Sequence, residues 1–172
     1  MKACKVYLGL GSNVGDRLKF IESAIERIGD LEGVKLTKKA SLYETEPWGV
    51  KDQGFFLNTA VEIETSLSPE DLHNEIKSIE QTLGRESREK WTQREIDIDL
   101  LFYGDRVIDE ENLKVPHNRI EDRRFVLVPL AEMDPDLIHP VLNKSVKELL
   151  AETKDNLEVS KYTENVQEKF GE

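Results

Sequence analysis

With 172 residues, 38% of them hydrophobic and 34% charged, the chain is long enough to bury one real core, and its net charge of −11 disfavours nucleic acid as a partner unless bases gather locally. The single cysteine, Cys4, excludes an internal disulfide, and no run approaches the roughly 18 apolar residues of a membrane span. The opening MKACKVYLGLGSN lacks the apolar stretch of a signal peptide, so a cytoplasmic protein without a membrane segment is expected.

KVYLGLGSN reads as a buried strand leading into a turn. GLGSNVGD lacks the lysine and hydroxyl residue of a P-loop and the spacing of a dinucleotide fingerprint, so it reads as a turn and helix start. From Asp16, Leu18, Ile21, Ile25 and Ile28 recur at helical steps, and Gly29 follows as a stop. Val34 to Tyr43 alternates as a strand, and ETEPWGVKDQG after it is rich in turn formers. In FFLNTAVEIETSL, Leu57, Thr59, Val61 and Ile63 share one face, and Asn58, Ala60, Glu62 and Glu64 share the other, which predicts a half-exposed strand.

The second helix has Ser68 as cap, Pro69 at its first position and Leu72, Ile76, Ile79 and Leu83 as its apolar stripe, with Gly84 closing it before a basic segment. EIDIDLLFYG follows as a strand with Ile96, Ile98, Leu100 and Phe102 as its core face, and DRVIDEENLKVPH reads as a hairpin return. From Arg119 the chain mixes helix and loop, and Ser145 with Glu148 forms a capping-box pattern. The polar residues 153–172 are expected to be peripheral. The order β-α-β, β-α-β predicts a single α+β domain over residues 1–172, a ferredoxin-like sandwich whose antiparallel sheet carries helices on one face and leaves the other free for a site.

The chemistry starts from Asp97 and Asp99. Residues two apart on a strand point the same way, so both carboxylates share a face, and hard oxygen donors suit magnesium that takes the rest of its shell from water and phosphates. A bare D-x-D in an acidic protein is by default a solvated strand face. The bases around it change that weighing: Arg85, Arg88, Lys90 and Arg94 precede it, while Lys114, His117, Arg119, Arg123 and Arg124 follow. Phosphoryl transfer needs metals bridging phosphate oxygens and cations absorbing charge. The competing account pairs those bases with Glu86, Glu89, Glu95, Glu121 and Asp122 on a solvated surface. Taken singly, Trp48, Trp91 and His117 remain open to plain packing or turn roles, and pattern alone assigns Phe56 and Phe125 to the core.

The ordered set LGSNVGDR, YETEPWG, DQGFFLNTAV, EQTLGR, WTQREIDIDLLFYG, VPHNRIEDRRFVLVPLAE and DPDLIHP resembles the 6-hydroxymethyl-7,8-dihydropterin pyrophosphokinases of folate biosynthesis, over about residues 5–150. The resemblance implies transfer of the β,γ-pyrophosphoryl unit of ATP to the pterin hydroxymethyl oxygen, leaving AMP. It implies two magnesium ions on Asp97 and Asp99, and Arg85 and Arg94 as mobile catalytic cations. It places Glu80, Arg88, Trp91, Ile98, Lys114, His117 and Arg123 with them around ATP. It also implies a pterin sandwiched by Phe56 and Phe125, hydrogen-bonded by Asn58, and bounded by Thr45, Pro47, Trp48 and the lid residue Trp91. The chain differs from the family pattern at Thr92-Gln93, where a glycine-proline type pair is usual, at Asn118, where an aromatic is frequent, and at Phe56, where tyrosine is frequent. ATP and a pterin are thus the expected partners of a monomer. Two other classes share part of the pattern: a two-metal nucleotidyltransferase would release pyrophosphate instead of AMP, and a non-catalytic ferredoxin-like sensor would turn nothing over.

Overall fold

The computed structural model describes residues 3–13, 15–45, 55–87 and 96–162, with side chains described for all of these but 85–87. Its centre is three antiparallel strands. β1 (Cys4–Ser12) lies between β4 (Phe56–Thr65) and β5 (Asp97–Tyr103). Outside β4 lie β2 (Val34–Lys39) and β3 (Tyr43–Thr45), which pair successive lengths of that one strand, and β8 (Val159–Lys161) pairs with β3. The order β5-β1-β4-β2 with intervening helices α1 (Arg17–Gly29) and α2 (Pro69–Ser87) is that of a ferredoxin-like sandwich. β6 (Ile108–Glu110) and β7 (Leu113–Val115) form the expected hairpin return.

On one face, Val6, Leu8 and Leu10 of β1 pack with Leu57, Val61 and Ile63 of β4 and with Ile98 and Leu100 of β5, beneath α1 and α2. The Asp16 side chain accepts from the Lys19 amide (3.2 Å) to start α1, and the buried stripe of that helix is Ile21, Ala24 and Ile28, with Leu18 and Ile25 at its margins. Ser68 Oγ accepts from the Asp71 amide (3.1 Å), as expected of a cap, but α2 continues through Gly84 to Ser87. A lone glycine costs a helix only about 1 kcal/mol, which the buried Leu72, Ile76, Ile79 and Leu83 readily outweigh.

The second face is not bare. Helices α3 (Arg124–Met133) and α4 (Val146–Glu152) cover part of it, burying Leu127, Leu130, Val146 and Leu149 against Tyr7, Leu101 and Phe102. This corrects the expectation that helices cover only one side, and with it that of a half-exposed β4: Asn58, Ala60 and Glu62 of its second face are buried, and Glu64 near its end is exposed. Phe102 is also on the opposite side from the expected one. Tyr7 pairs with Phe102 while Leu8 pairs with Leu100, so Leu101 is an extra residue on β5 that reverses the alternation beyond it.

The expected single strand from Val34 to Tyr43 divides into β2 and β3. The Ala40 amide still donates to the Ala60 carbonyl (2.9 Å), but three residues between Lys39 and Tyr43 face two on β4, and the Thr59 hydroxyl meets the Ala40 and Ser41 carbonyls at 3.1 and 3.0 Å. The capping box at Ser145 and Glu148 is present as expected.

Hydroxyl–carboxylate contacts fasten α3 to the sheet. Glu132 accepts from the Tyr43 hydroxyl (2.7 Å), the Ser41 hydroxyl (2.8 Å) and the Ser41 amide (3.0 Å). The Tyr7 hydroxyl donates to Glu62 Oε2 (2.7 Å) and lies 2.9 Å from Oδ2 of Asp134, the residue that ends α3. The Thr37 hydroxyl reaches Glu62 Oε1 at 2.7 Å, from a bulge in β2.

Burial pushes the Glu62 carboxyl up, but the Tyr7 and Thr37 hydroxyls together with Lys38 and Lys5 more than reverse this, so it titrates below the ordinary glutamate value. Its ionised form therefore stabilises the fold above the ordinary glutamate pKa, and that contribution is lost as pH falls through the lowered folded value. Replacing Tyr7 with phenylalanine is expected to cost about 1–2 kcal/mol at neutral pH by removing one hydrogen bond to a buried charge. Urea unfolding should find that penalty smaller once Glu62 is protonated in acid; an equal penalty at both pH values would remove Glu62 as its source.

Candidate active site

The free part of the second face is a cavity of about 360 Å³ at the upper end of β1, β4 and β5. That volume falls in the range of small-molecule sites. Gly9 and Gly11 form its floor. Alternate residues of a strand share a face, and antiparallel pairing puts Asn58 and Asp97 on either side of Gly11, and Ala60 and Asp99 on either side of Gly9. A Cβ at Gly11 would come within 2.7 Å of Asn58 Nδ2, whereas one at Gly9 would meet only the Leu101 side chain, at 3.2 Å. The glycines are thus strand residues, contrary to the expected turn and helix start.

The Thr45 hydroxyl donates to Asn58 Oδ1 (3.0 Å) and fixes the buried amide, leaving its Nδ2 over Gly11. Phe56, at the start of β4, and Phe125, in the first turn of α3, line the same cavity and are half-buried, so neither belongs to the core as pattern suggested. Arg119, Asp122 and Arg123 line it from the segment leading into α3.

A second cavity, of about 230 Å³, adjoins the first through Asp99, which lines both. Its lining includes Ile98, Lys114 and His117 from the expected set, together with His73 and Lys77 of α2. The His117 Nδ1 lies 3.0 Å from the Asn118 carbonyl, which can only accept, so that nitrogen carries the proton, and Nε2 is 3.7 Å from Asp99 Oδ1. Lys114 Nζ is 2.6 Å from Asp109 Oδ1 on the hairpin. Beneath this wall, Glu80 Oε2 accepts from the Ile98 amide, and Lys77 Nζ is 3.2 Å from Oε1. Burial holds the Glu80 carboxyl above its ordinary value against both of those contacts. Glu80 therefore clamps α2 to the strand between the two aspartates.

Thr45, Phe56, Asn58, Asp97, Asp99, Arg123 and Phe125 therefore converge on one cavity, and Ile98, Lys114 and His117 on its neighbour. Pro47, Trp48, Arg88, Trp91 and Arg94 lie outside the described residues, and Arg85 is described only as backbone within α2. The two glycines were missed in sequence because a loop and a glycine-bearing strand look alike there; the signal was their two-residue spacing within an apolar run.

A profile of the 7,8-dihydro-6-hydroxymethylpterin-pyrophosphokinase family matches residues 7–135. The chain belongs to this family. It is similar to the 2-amino-4-hydroxy-6-hydroxymethyldihydropteridine pyrophosphokinase of Aquifex aeolicus, 47% identical over 147 residues that cover 86% of this chain and 91% of that protein. The Bacillus subtilis enzyme of the same name is 45% identical over 127 residues, covering 74% of this chain and 76% of that one. A crystal structure of wild-type Plasmodium falciparum HPPK-DHPS matches 99% of the chain with a TM-score of 0.70 at 17% identity. That likeness shows the shared fold, and the present chain spans 47% of the solved one. The ferredoxin-like α+β architecture is thus that expected from the element order, and the pyrophosphokinase activity that implied by the resemblance.

The two floor glycines should separate in their tolerance of a methyl group. Gly11→Ala must displace an amide that Thr45 holds, and is expected to lower kcat/KM for AMP formation at least tenfold, about 1.4 kcal/mol. Gly9→Ala needs only a leucine to shift, and should cost less. Equal effects in steady-state assays would mean that the Asn58 amide is not the sensitive element.

Proposed function

We propose that the pyrophosphoryl transfer of this family takes place where the two cavities meet at Asp99, with the pterin over the glycine floor in the larger cavity and ATP in the smaller one. The observation that carries this reading is the convergence of two half-buried phenyl rings, an oriented buried amide and a pair of strand carboxylates on one cavity. A flat heterocycle gains stacking energy between Phe56 and Phe125, and an amide pairs with its donor and acceptor edge. Thr45 orients that amide, and Pro47, Trp48 and Trp91 are assigned to the remaining boundary of the ring.

Asp97 and Asp99 are proposed to hold two magnesium ions. The donor set fits: both are hard oxygen ligands on the open face of β5, and the space before them leaves room for water and phosphate oxygens. Bound there, magnesium would neutralise triphosphate charge and act as a Lewis acid toward the transferred group. Lys114, His117 and Arg123, with Arg85, Arg88 and Arg94, are the cations assigned to the phosphates, and Glu80 and Ile98 to the wall beneath the nucleotide. Arg85 and Arg94 are assigned the charge that develops on the transferred group. In this reading the chain acts as a single domain and as a monomer, in the cytoplasm, where ATP is at hand. No described helix is long and apolar enough to cross a membrane.

Incubation with ATP, magnesium and the hydroxymethyl dihydropterin should form AMP only when the pterin is present. Asp97→Ala and Asp99→Ala are each expected to lower turnover by orders of magnitude with the fold retained, because a metal bridging phosphate charge contributes several kcal/mol. Near-wild-type turnover across a magnesium titration would reject the metal assignment. Phe125→Ala should weaken pterin binding by roughly 1–3 kcal/mol, the scale of base–aromatic stacking. Calorimetric titration measures that loss, and an unchanged pterin affinity would take Phe125 out of the pocket.

A further inference from the structure

Residues 153–162 lie beyond the stretch matched by the family profile, and their polarity suggested a peripheral tail. They are built into the molecule instead. Thr153, Asp155, Leu157 and Val159 are half-buried while Lys154, Asn156, Glu158 and Ser160 are exposed, the alternation of an extended segment lying on a surface. We propose that this segment is a wall of the pterin pocket, in which Leu157 contacts the pterin and Asp155 is the positioning residue that locks Leu157 and Phe125 to each other. The proposal rests on reading the larger cavity as the pterin pocket.

Leu157 lines that cavity together with Phe56, Asn58 and Phe125. Its place is set by one carboxylate. Asp155 Oδ1 accepts from the Leu157 amide (3.1 Å), and Oδ2 accepts from the amide of Arg124, the first residue of α3 (2.9 Å). Arg123, at the cap position of α3, makes no side-chain cap hydrogen bond, and Asp155 supplies from 31 residues away an acceptor for the first of the amides that open the helix. Phe125 is the next residue of that turn. The helix wall and the C-terminal wall of the cavity are therefore held by the two oxygens of a single side chain.

Past the cavity the segment is anchored again. β8 pairs with β3, and Val159 is opposite Thr45, the residue whose hydroxyl orients Asn58. The Tyr162 amide donates to the Leu42 carbonyl (2.8 Å). The Arg17 guanidinium lies 5.9 Å from the centre of the Tyr162 ring and also reaches Glu44 (3.0 Å) and the Phe55 carbonyl (2.9 Å). With both ends fixed, Leu157 cannot withdraw without breaking hydrogen bonds in the sheet or at the α3 terminus.

The test compares Leu157→Ala, Leu157→Met, Asp155→Ala and Asp155→Asn with Phe125→Ala in the full-length enzyme. It reads the KM for the pterin, the KM for ATP, kcat, and the equilibrium affinity for the pterin in the presence of magnesium and a non-hydrolysable ATP analogue. Leu157→Ala should raise the pterin KM about five- to tenfold by loss of apolar contact, with the ATP KM unchanged, and Leu157→Met should restore most of the affinity. Asp155→Ala should raise the pterin KM as well, and Asp155→Asn less, because the amide keeps one of the two acceptors. A role confined to stability would lower the melting temperature and leave both KM values in place, and that outcome overturns the proposal. If Phe125→Ala weakens the pterin while Leu157→Ala and Asp155→Ala change its KM less than twofold, the C-terminal wall is refuted and the pterin pocket stands. If Phe125→Ala also leaves pterin affinity unchanged, the reading of the cavity fails and the wall fails with it.

Discussion

The arrangement depends on one strand that carries no side chains where it matters. Gly9 and Gly11 lie between β4 and β5, with Asn58 and Asp97 flanking one glycine and Ala60 and Asp99 the other. Neighbouring strands are about 4.8 Å apart, so the backbones that carry Asn58 and Asp97 stand roughly 10 Å from each other on either side of Gly11. Any side chain at position 11 would enter that gap, where Asn58 leaves no room. The register of three strands thus fixes how far the side of the cavity that carries Asn58 lies from the side that carries Asp97. It does so without any loop having to be placed.

Around that floor the walls are set by polar contacts that reach across the chain. Burial and the Glu132 carboxylate push the Tyr43 hydroxyl up to about 12, so it remains a proton donor across the working pH range and keeps α3 tied to β3. The Tyr7 contacts with Glu62 and Asp134 act at the same end of that helix, at its C-terminal cap. Phe125 therefore projects from a helix held at its last turn by two sets of hydroxyl–carboxylate bonds and at its first by Asp155. Such a ring is preorganised, so less ordering cost accompanies ligand binding than for a ring on a loosely held loop.

Much of the architecture was legible because burial follows the two simple periods. The stripes of α1 and α2, the alternation of β4, the β6–β7 hairpin and the capping box at Ser145 all follow from spacing and cap chemistry. The misreadings share a cause: each depends on what lies opposite in space. The polar face of β4 reads as solvent-facing because Glu62 and Asn58 are polar, yet it is buried under helices that come some sixty residues later. The extra residue at Leu101 is invisible in a strand whose neighbours are all apolar, and it carries Phe102 to the other face. Among the candidate site residues, Asp97 and Asp99 were legible from chemistry and parity. Gly9, Gly11 and Leu157 were not, because they carry no reactive group and acquire meaning only through register.

The pairing of β8 with β3 has a consequence unconnected with ligands. β3 is three residues long, and without β8 its outward amides and carbonyls would form an unpaired sheet margin, the kind of template on which a second chain can add a strand. β8 pairs with that margin and becomes the terminal strand of the sheet, with Ser160 and Lys161 exposed. The sheet thereby ends beside the larger cavity on a short strand that carries an exposed lysine, two of the features that discourage strand addition at an edge.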